Sequence, residues 1–444
     1  YAATDERGEF VFTDLAAGSY DLELSHVGYD KAFRRISINE GDTIRLTILL
    51  EPITIPVAGL TVTATRFVKE KFSLPVSVSV VSRERLNQRS FSTTGEALRE
   101  EPGILVQKTT HGHGAPILRG LIGKRVLLLY DGIRLNKPTF RSGRNQYLST
   151  IDLESFERIE VVRGPSSVIY GSDCLGGAVN LIPGPPPGRG GSFSVSPYLV
   201  GRYSSADDGR IVHLRLTGDH RRFTAILGMT YKKIGDLRAG RNVRRQNPTG
   251  WEEGAVNAHL FAGMGKNCHL RLDYLAVRQN RVPRYDKYVS GQFQQYIYDP
   301  QNRDLLALAL TCRPLGSLFH SVKAAISYQH EIEGRIQQKA GSSSIRNYRD
   351  RISTWGGYAQ TSTLVMSKHW LSFGCEYYYD CVNSEGTRTS DGETETIRPT
   401  FPDGSTYQSA GLFLHDEYSI STNLSLMGGV HYSYFYLPAP RGTV

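Results

Sequence analysis

Residues 151–182, IDLESFERIEVVRGPSSVIYGSDCLGGAVNLI, run from a short acidic and apolar segment into Arg-Gly-Pro and then into a glycine-dense turn. Phe156, Ile159, Val161 and Val162 stand among Glu157, Arg158, Glu160 and Arg163, a mostly alternating pattern that suits a β-strand with one buried face. Gly164 and Pro165 stop that strand, because proline has no amide hydrogen for a ladder and glycine reaches backbone angles other residues avoid. A short turn or helix follows over 166–170, Gly171, Gly176 and Gly177 permit close backbone approach, and a strand resumes over 178–182. The glycine-rich turn is not followed by a lysine with Ser or Thr at phosphate-loop spacing, and no helical pattern opens after it, which argues against a nucleotide site.

A chain of 444 residues is too long for one ordinary domain and leads to an expectation of two or three. Its 45 Gly, 25 Tyr and 17 Phe favour strands and turns over helices. No run approaches the ~18 apolar residues of a spanning helix, so any membrane crossing must use a closed barrel. The net charge of +9 is modest for this length, and no basic run is interleaved with aromatics, so it reads as solvated loop charge and not as a nucleic-acid surface. The five Cys form no CxxC pair or zinc spacing, and Cys375 and Cys381 lie too far apart along one expected strand to bond, so no disulfide framework is expected. Twelve dispersed His, with neither GxSxG nor HExxH, give no catalytic constellation and imply no cofactor.

Outward from the opening stretch, the chain divides by composition. Residues 1–52 hold three short alternating segments, 8–12, 15–24 and 44–50, which read as a small β-sandwich. Residues 53–71 are a linker. Residues 72–183 read as a compact α+β domain, with strands over 75–81, 104–106, 117–120 and 126–134, a short helix from Ser82, and a second helix over 94–100 stopped by Pro102 and Gly103. Residues 184–191 continue the PGPPPGRGG run as a joint, stiff in its proline half and loose in its glycine half. From 192 to 444 about eleven segments alternate apolar and polar residues, among them 305–313, 320–330, 354–364 and 370–379, in the pattern of a transmembrane antiparallel β-barrel. Tyr377, Tyr378 and Tyr379, and Tyr432, Tyr434 and Phe435, gather near strand ends as interface girdles do. The fold class is thus mainly β: a sandwich, an α+β domain and the first part of a barrel.

The succession EALREEPGILV, ILRGL and RVLLLYDGIRLN, followed by the opening stretch, resembles the plug domain of TonB-dependent outer-membrane receptors across 72–183. The phrase TDERGEFVFTDLAAGSYDLELSHVGY resembles a carboxypeptidase-regulatory-like domain, an immunoglobulin-like module that carries no zinc set here. The resemblance implies a plug inside a barrel of the outer membrane of a Gram-negative bacterium. It also implies energised uptake of a scarce nutrient such as an iron chelate, haem or cobalamin, with outer-membrane lipid and the inner-membrane TonB protein as partners. Such receptors close with about twice eleven strands, and a half barrel would leave two hydrogen-bonding edges in lipid. The sequence also opens without a signal peptide, so the chain is expected to be an N-terminal portion of a longer precursor. An outer-membrane adhesin or carbohydrate-binding protein of the same fold is the alternative.

Leu60, Thr61, Val62, Thr63 and Ala64 resemble the TonB box, a β-prone strip open to capture by strand addition; an ordinary interdomain strand is the other reading. His111 and His113, in HGHGAP, are candidates for haem iron or a chelate, or else are solvated loop histidines. Arg144, Gln146 and Tyr147, with Asp152 nearby, resemble ligand segments of haem and hydroxamate receptor plugs. Arg119 and Arg163 follow a paired-arginine pattern that in the family meets acidic residues on the barrel wall. Glu376 and Glu417 are candidate partners, and ion pairs inside the plug are the alternative. Cys174 stands where the pattern has a small alanine and is expected to pack there.

Overall fold

The structure, a computed structural model, describes residues 2, 4–5, 8–24, 32–48, 61–62, 69–70, 77–140, 147–164, 166–184, 192–265, 267–314, 319–366, 368–421 and 424–438. The chain forms two compact units, Tyr1–Thr61 and Val62–Val444. In the first, β1 (Gly18–Leu24) pairs antiparallel with β2 (Ala32–Ile38). Of the three segments expected to form the sandwich, 15–24 carries a strand among the described residues. Among the described residues 8–12 and 44–48 are not strands, and β2 lies in a stretch not read as one, because its AFRRISI sequence puts two arginines where alternation fails. β3 (Thr61–Val62) and β4 (Lys69–Glu70) form a small two-stranded sheet.

The plug is built on β5 (Ser77–Ser82), β6 (Ile104–Gln107), β7 (Ala115–Leu118), β8 (Val126–Tyr130), β9 (Ile133–Arg134), β10 (Arg158–Arg163) and β11 (Gly177–Ile182). Its main sheet runs β5-β10-β11-β8-β9, with β11 parallel to β8 and the other pairs antiparallel. Helix α1 (Arg83–Arg89) starts on Ser82, whose hydroxyl accepts from the Arg85 amide, and ends on Ser90 in the left-handed region. The expected helix over 94–100 is only a 3-10 turn, Glu96–Leu98, since Gly95 and two threonines make a poor helical start. The expected single strand over 126–134 is broken by a tight turn at Asp131-Gly132, both with positive φ.

The opening stretch behaves as its residues dictate. Arg163 pairs with Gly177 across β10 and β11, and Gly177 has a φ of +140°; a Cβ there would sit 2.1 Å from the Val162 carbonyl oxygen. Only glycine fits. Helix α2 (Ser167–Tyr170) fills the turn, and Cys174 is fully buried with Tyr170, Val162, Leu127, Leu129 and Ala178. Leu98, Leu118, Leu128, Leu148, Ile159, Val161, Val179 and Leu181 form the larger core, where each such side chain contributes roughly 1.5–3 kcal/mol by burial.

The wall is an antiparallel sheet of eleven long strands in chain order. They are β12 (Ser194–Ser204), β13 (Gly209–His220), β14 (Phe223–Ile234), β15 (Trp251–Met264), β16 (Cys268–Asn280), then, after the two-residue β17 (Val282–Pro283), β18 (Phe293–Cys312), β19 (Ser321–Lys339), β20 (Ile345–Val365) and β21 (His369–Ser390), and, after β22 (Glu393–Thr396), β23 (Ser405–Ser421) and β24 (Leu424–Tyr436). The strands run longer than their alternation suggested: β18 starts at Phe293, not 305, and β21 ends at Ser390, not 379. Beyond the apolar band both faces are polar, as in NSEGTRTS at the end of β21, so the period-two signal fades where the strand continues. One rim carries the short connections 221–222, 265–267 and 366–368; the other carries 235–250, 281–292 and 391–404.

Leu214, Leu227, Met229, Leu306, Ile326, Trp355, Tyr377, Leu412 and Leu414 are exposed on the outer face, while Asn257, Asp273, Gln279, Arg303 and Asp350 are buried on the inner one. That is the alternation of a wall with lipid outside and a polar interior. Cys268 and Cys312 face each other across β16 and β18 and are joined by a disulfide, which corrects the expectation of none. Their separation of 44 residues hid a pairing that only strand register creates.

Candidate functional site

Three buried polar nodes fasten the plug to the wall. At the Asp131-Gly132 turn, the Asp131 carboxylate meets Lys323 Nζ at 2.5 Å and the guanidinium of Arg271, which is also held by Asp273 at 2.8 Å. The Tyr358 hydroxyl donates to the Asp131 carbonyl oxygen at 2.7 Å. Burial alone raises the Asp131 carboxyl, but Lys323 and Arg271 outweigh it and hold the group well below the usual carboxylate range.

At the second node Asp152 meets Lys232 Nζ at 3.0 Å and accepts from the Thr230 hydroxyl at 2.6 Å. Lys232 also meets Glu253 at 2.7 Å. The Gln279 amide donates to Glu253 at 3.0 Å and accepts from His113 Nε2 at 3.0 Å, so the chain of contacts runs back into the plug. Burial raises the Asp152 carboxyl and Lys232, with Thr230, brings it below its ordinary value. At the third node Lys137 pairs with Glu331, which also takes Arg303 at 2.8 Å; Arg303 Nε donates to Thr150 at 2.9 Å. Each node is desolvated, so removing one charge strands its partner.

The ligand candidates take other places. His113 is 2% exposed, lies 5.4 Å from the Tyr298 ring and is turned to the wall, so it is neither a solvated loop residue nor open to a cargo. His111 Nε2 lies 2.7 Å from Asp207, in the β12–β13 connection. Tyr147 is buried, stacked 4.0 Å from Phe140, and Arg144 and Gln146 lie outside the described residues. Asp152, grouped by sequence with the ligand segment, is a wall anchor instead. Of the TonB-box-like strip, Thr61 and Val62 form β3, and Leu60, Thr63 and Ala64 lie outside the described residues.

Of the two readings of the paired arginines, Arg163 follows the one inside the plug. Arg163 donates to Ser77 at 2.8 Å and to Ser79, and lies 4.0 Å from Glu101, all within the plug. Arg119 is exposed and makes no ion pair among the described residues. Glu376 abuts the plug at Gly171, where a Cβ would lie 3.3 Å from its Oε1, and Glu417 is half-buried on β23 opposite Trp370. Arg163 is pre-empted because Ser77 and Ser79 on β5, and Glu101, lie nearer than the wall carboxylates considered. The anchors sit in the loops after β8 and before β10, where DG and ID dipeptides carry no pairing signal of their own.

A cavity of about 530 Å³ opens between the plug segment Arg134–Phe140 and strands β21 and β23, bounded by the loop before β23. Phe140, Tyr378, Val382, Phe401 and Tyr407 supply its apolar lining, with Arg134 and Asp380 as polar edges. The Arg134 amide donates to the Tyr378 hydroxyl at 3.0 Å, so the cavity floor is itself a plug contact. A mostly apolar hollow of this size with a few convergent polar groups is suited to a small organic ligand.

One consequence of the second node concerns pH. Burial pushes the His113 imidazole down to about 4 from 6.5. The folded protein therefore binds fewer protons than the unfolded chain between these values, and stability present above 6.5 is lost as pH falls toward 4, by roughly 3 kcal/mol. Denaturation midpoints at the two ends of that window should shift less in His113→Gln than in the unchanged protein; equal shifts would refute the assignment.

Residues 70–178 match the model of the TonB-dependent receptor plug domain, and 235–436 match that of the TonB-dependent receptor-like β-barrel. The vitamin B12 transporter BtuB of Photobacterium profundum is 32% identical over 131 residues, 29% of this chain and 21% of the relative. Among solved structures, the copper transporter OprC aligns with a TM-score of 0.67 at 16% identity, covering 81% of this chain and 55% of that one. The hemophore receptor HasR of Serratia marcescens aligns at 0.65 and 18%, covering 82% and 53%. The chain spans little more than half the length of these structures.

Proposed function

The chain carries the plug and β-barrel domains of the TonB-dependent receptors, and from that premise we propose that it serves in the outer membrane as a receptor for energised uptake of a scarce nutrient. The observation that carries this reading is the plug fixed by Asp131, Asp152 and Lys137 to a wall whose other face is apolar. A stopper held by ionic nodes can be loosened without unfolding the barrel. Short turns lie on the periplasmic side of outer-membrane barrels, which puts the rim with connections 221–222 and 265–267 toward the periplasm and the 530 Å³ cavity toward the outside. The Cys268–Cys312 disulfide fits an exported protein, because such bonds persist in oxidising compartments.

An iron chelate, haem or cobalamin is the cargo we propose, and the likeness to a vitamin B12 transporter puts cobalamin among the first to try. The TonB protein would supply the energy by gripping the strip from Leu60 to Ala64, and a carboxypeptidase-regulatory-like module would lie ahead of it. Growth of a deletion strain on single sources of iron chelate, haem or cobalamin tests the cargo. Removing 60–64 from the full protein is expected to abolish uptake of the responding cargo while cell-surface binding is kept. Unchanged uptake would overturn the energised reading, whereas no responding cargo together with surface adhesion that persists without 60–64 would favour an adhesin or carbohydrate-binding role.

A further inference from the structure

On the flank facing β13 to β15, the fit between plug and wall is hollow. A second cavity, of about 280 Å³, lies between the plug turn at Phe156 and Glu157 and the wall residues Arg215, Thr217, Asn257 and His259. Its plug side includes Gly184, at the end of the plug, and its wall side reaches Phe261, toward the short-turn rim. It lies below the Lys232 node: along β15, Glu253 is followed on the same face by Asn257, His259 and Phe261.

Asn257 is 1% exposed, and neither its Oδ1 nor its Nδ2 has a hydrogen-bond partner among the described residues. An unsatisfied buried amide is expensive to keep. The wall makes room for it: Gly228 is paired directly with Asn257, and a Cβ on Gly228 would lie 2.5 Å from Asn257 Oδ1. The charges around it are spoken for. Glu157 lies 3.6 Å from Arg215 and 3.7 Å from Arg83, and His259 Nδ1 lies 2.8 Å from Asp273. What the cavity offers is therefore an unpaired amide, its N–H donors and carbonyl acceptor side by side, among paired charges.

We propose that this cleft is a resting site, on the periplasmic side of the Lys232 node, for an uncharged polar group of the cargo, an amide or a hydroxyl pair. The assignment rests on the transporter reading for its purpose, but its chemistry is independent of which cargo is carried. A carboxylate or an ammonium would lose hydration in the cleft without gaining an unpaired counter-charge.

The test uses the full protein in lipid nanodiscs with Cys174, Cys375 and Cys381 replaced by serine and Asn257→Cys introduced. A small water-soluble thiosulfonate is expected to modify this thiol about tenfold faster, a 1.4 kcal/mol difference in barrier, than a thiol placed by Ala309→Cys, an equally buried wall position in the apolar plug contact. With Asn257 kept and the thiol placed instead by Thr217→Cys on the same cavity, acetamide should slow modification while sodium acetate and ammonium chloride should not, and adding Asn257→Leu should abolish the acetamide protection. Equal rates at the two positions, or protection by acetate or ammonium as good as by acetamide, overturn the proposal. A separate measurement with Asn257→Leu separates it from the transport reading: melting should be unchanged or raised, with cargo uptake reduced and surface binding kept. If the thiol behaves as expected and no cargo is transported, the transport reading fails and the site stands.

Discussion

Asp131→Ala is expected to cost about 3–5 kcal/mol, because it leaves Lys323 and Arg271 buried without their shared carboxylate. Asp273 still holds Arg271 from one side, so the larger part of the loss falls on the Lys323 ammonium, which plug and wall together shut away from water. The barrel strands do not depend on this contact, since their ladders are continuous without the plug. The expected signature is a plug that becomes sensitive to protease and unfolds at lower denaturant while the barrel keeps its own transition. Adding Lys323→Met removes the stranded charge and should recover part of the loss. A single unchanged transition in Asp131→Ala would show that the node is ornamental.

Gly177→Ala should be comparably severe for a different reason. The new Cβ would lie 2.1 Å from the Val162 carbonyl oxygen and 2.9 Å from Leu118, at a φ that L side chains rarely adopt. Main-chain oxygen cannot swing aside, so the β10–β11 pair must separate. Backbone strain alone is about 1–3 kcal/mol, and the overlap adds to it. The measurement is protease protection of residues 77–184 in the full protein; native-like protection in Gly177→Ala would sink the argument.

What could be read beforehand was local. The glycine spacing after Arg163 fixed a strand, a turn and a second strand, and period-two alternation located each of the eleven wall strands by its lipid-facing half. Strand extensions past the apolar band were invisible, since polar residues on both faces leave no period. The anchors were invisible for another reason: Asp131 meets Lys323 across 192 residues and Asp152 meets Thr230 across 78, and nothing in ID or DG names a distant partner. His113 misled because a glycine-rich loop usually signals solvent, whereas here the small glycines let the loop press against Trp251, 3.1 Å from where a Gly112 Cβ would sit. Arg163 misled because its serine partners on β5 are neutral and carry no charge pattern.

The place of β5 at the margin of the plug sheet has a mechanical meaning. It has one neighbour, β10, so tension arriving from upstream of Ser77 has a single ladder to break, whereas drawing out β10 or β11 would mean breaking two. Once β5 peels off, Val78 and Val81 leave their sockets and Arg163 loses Ser77 and Ser79, yet Asp131, Asp152 and Lys137 stay bolted to the wall. The stopper can thus be unravelled along its seam without being uncorked.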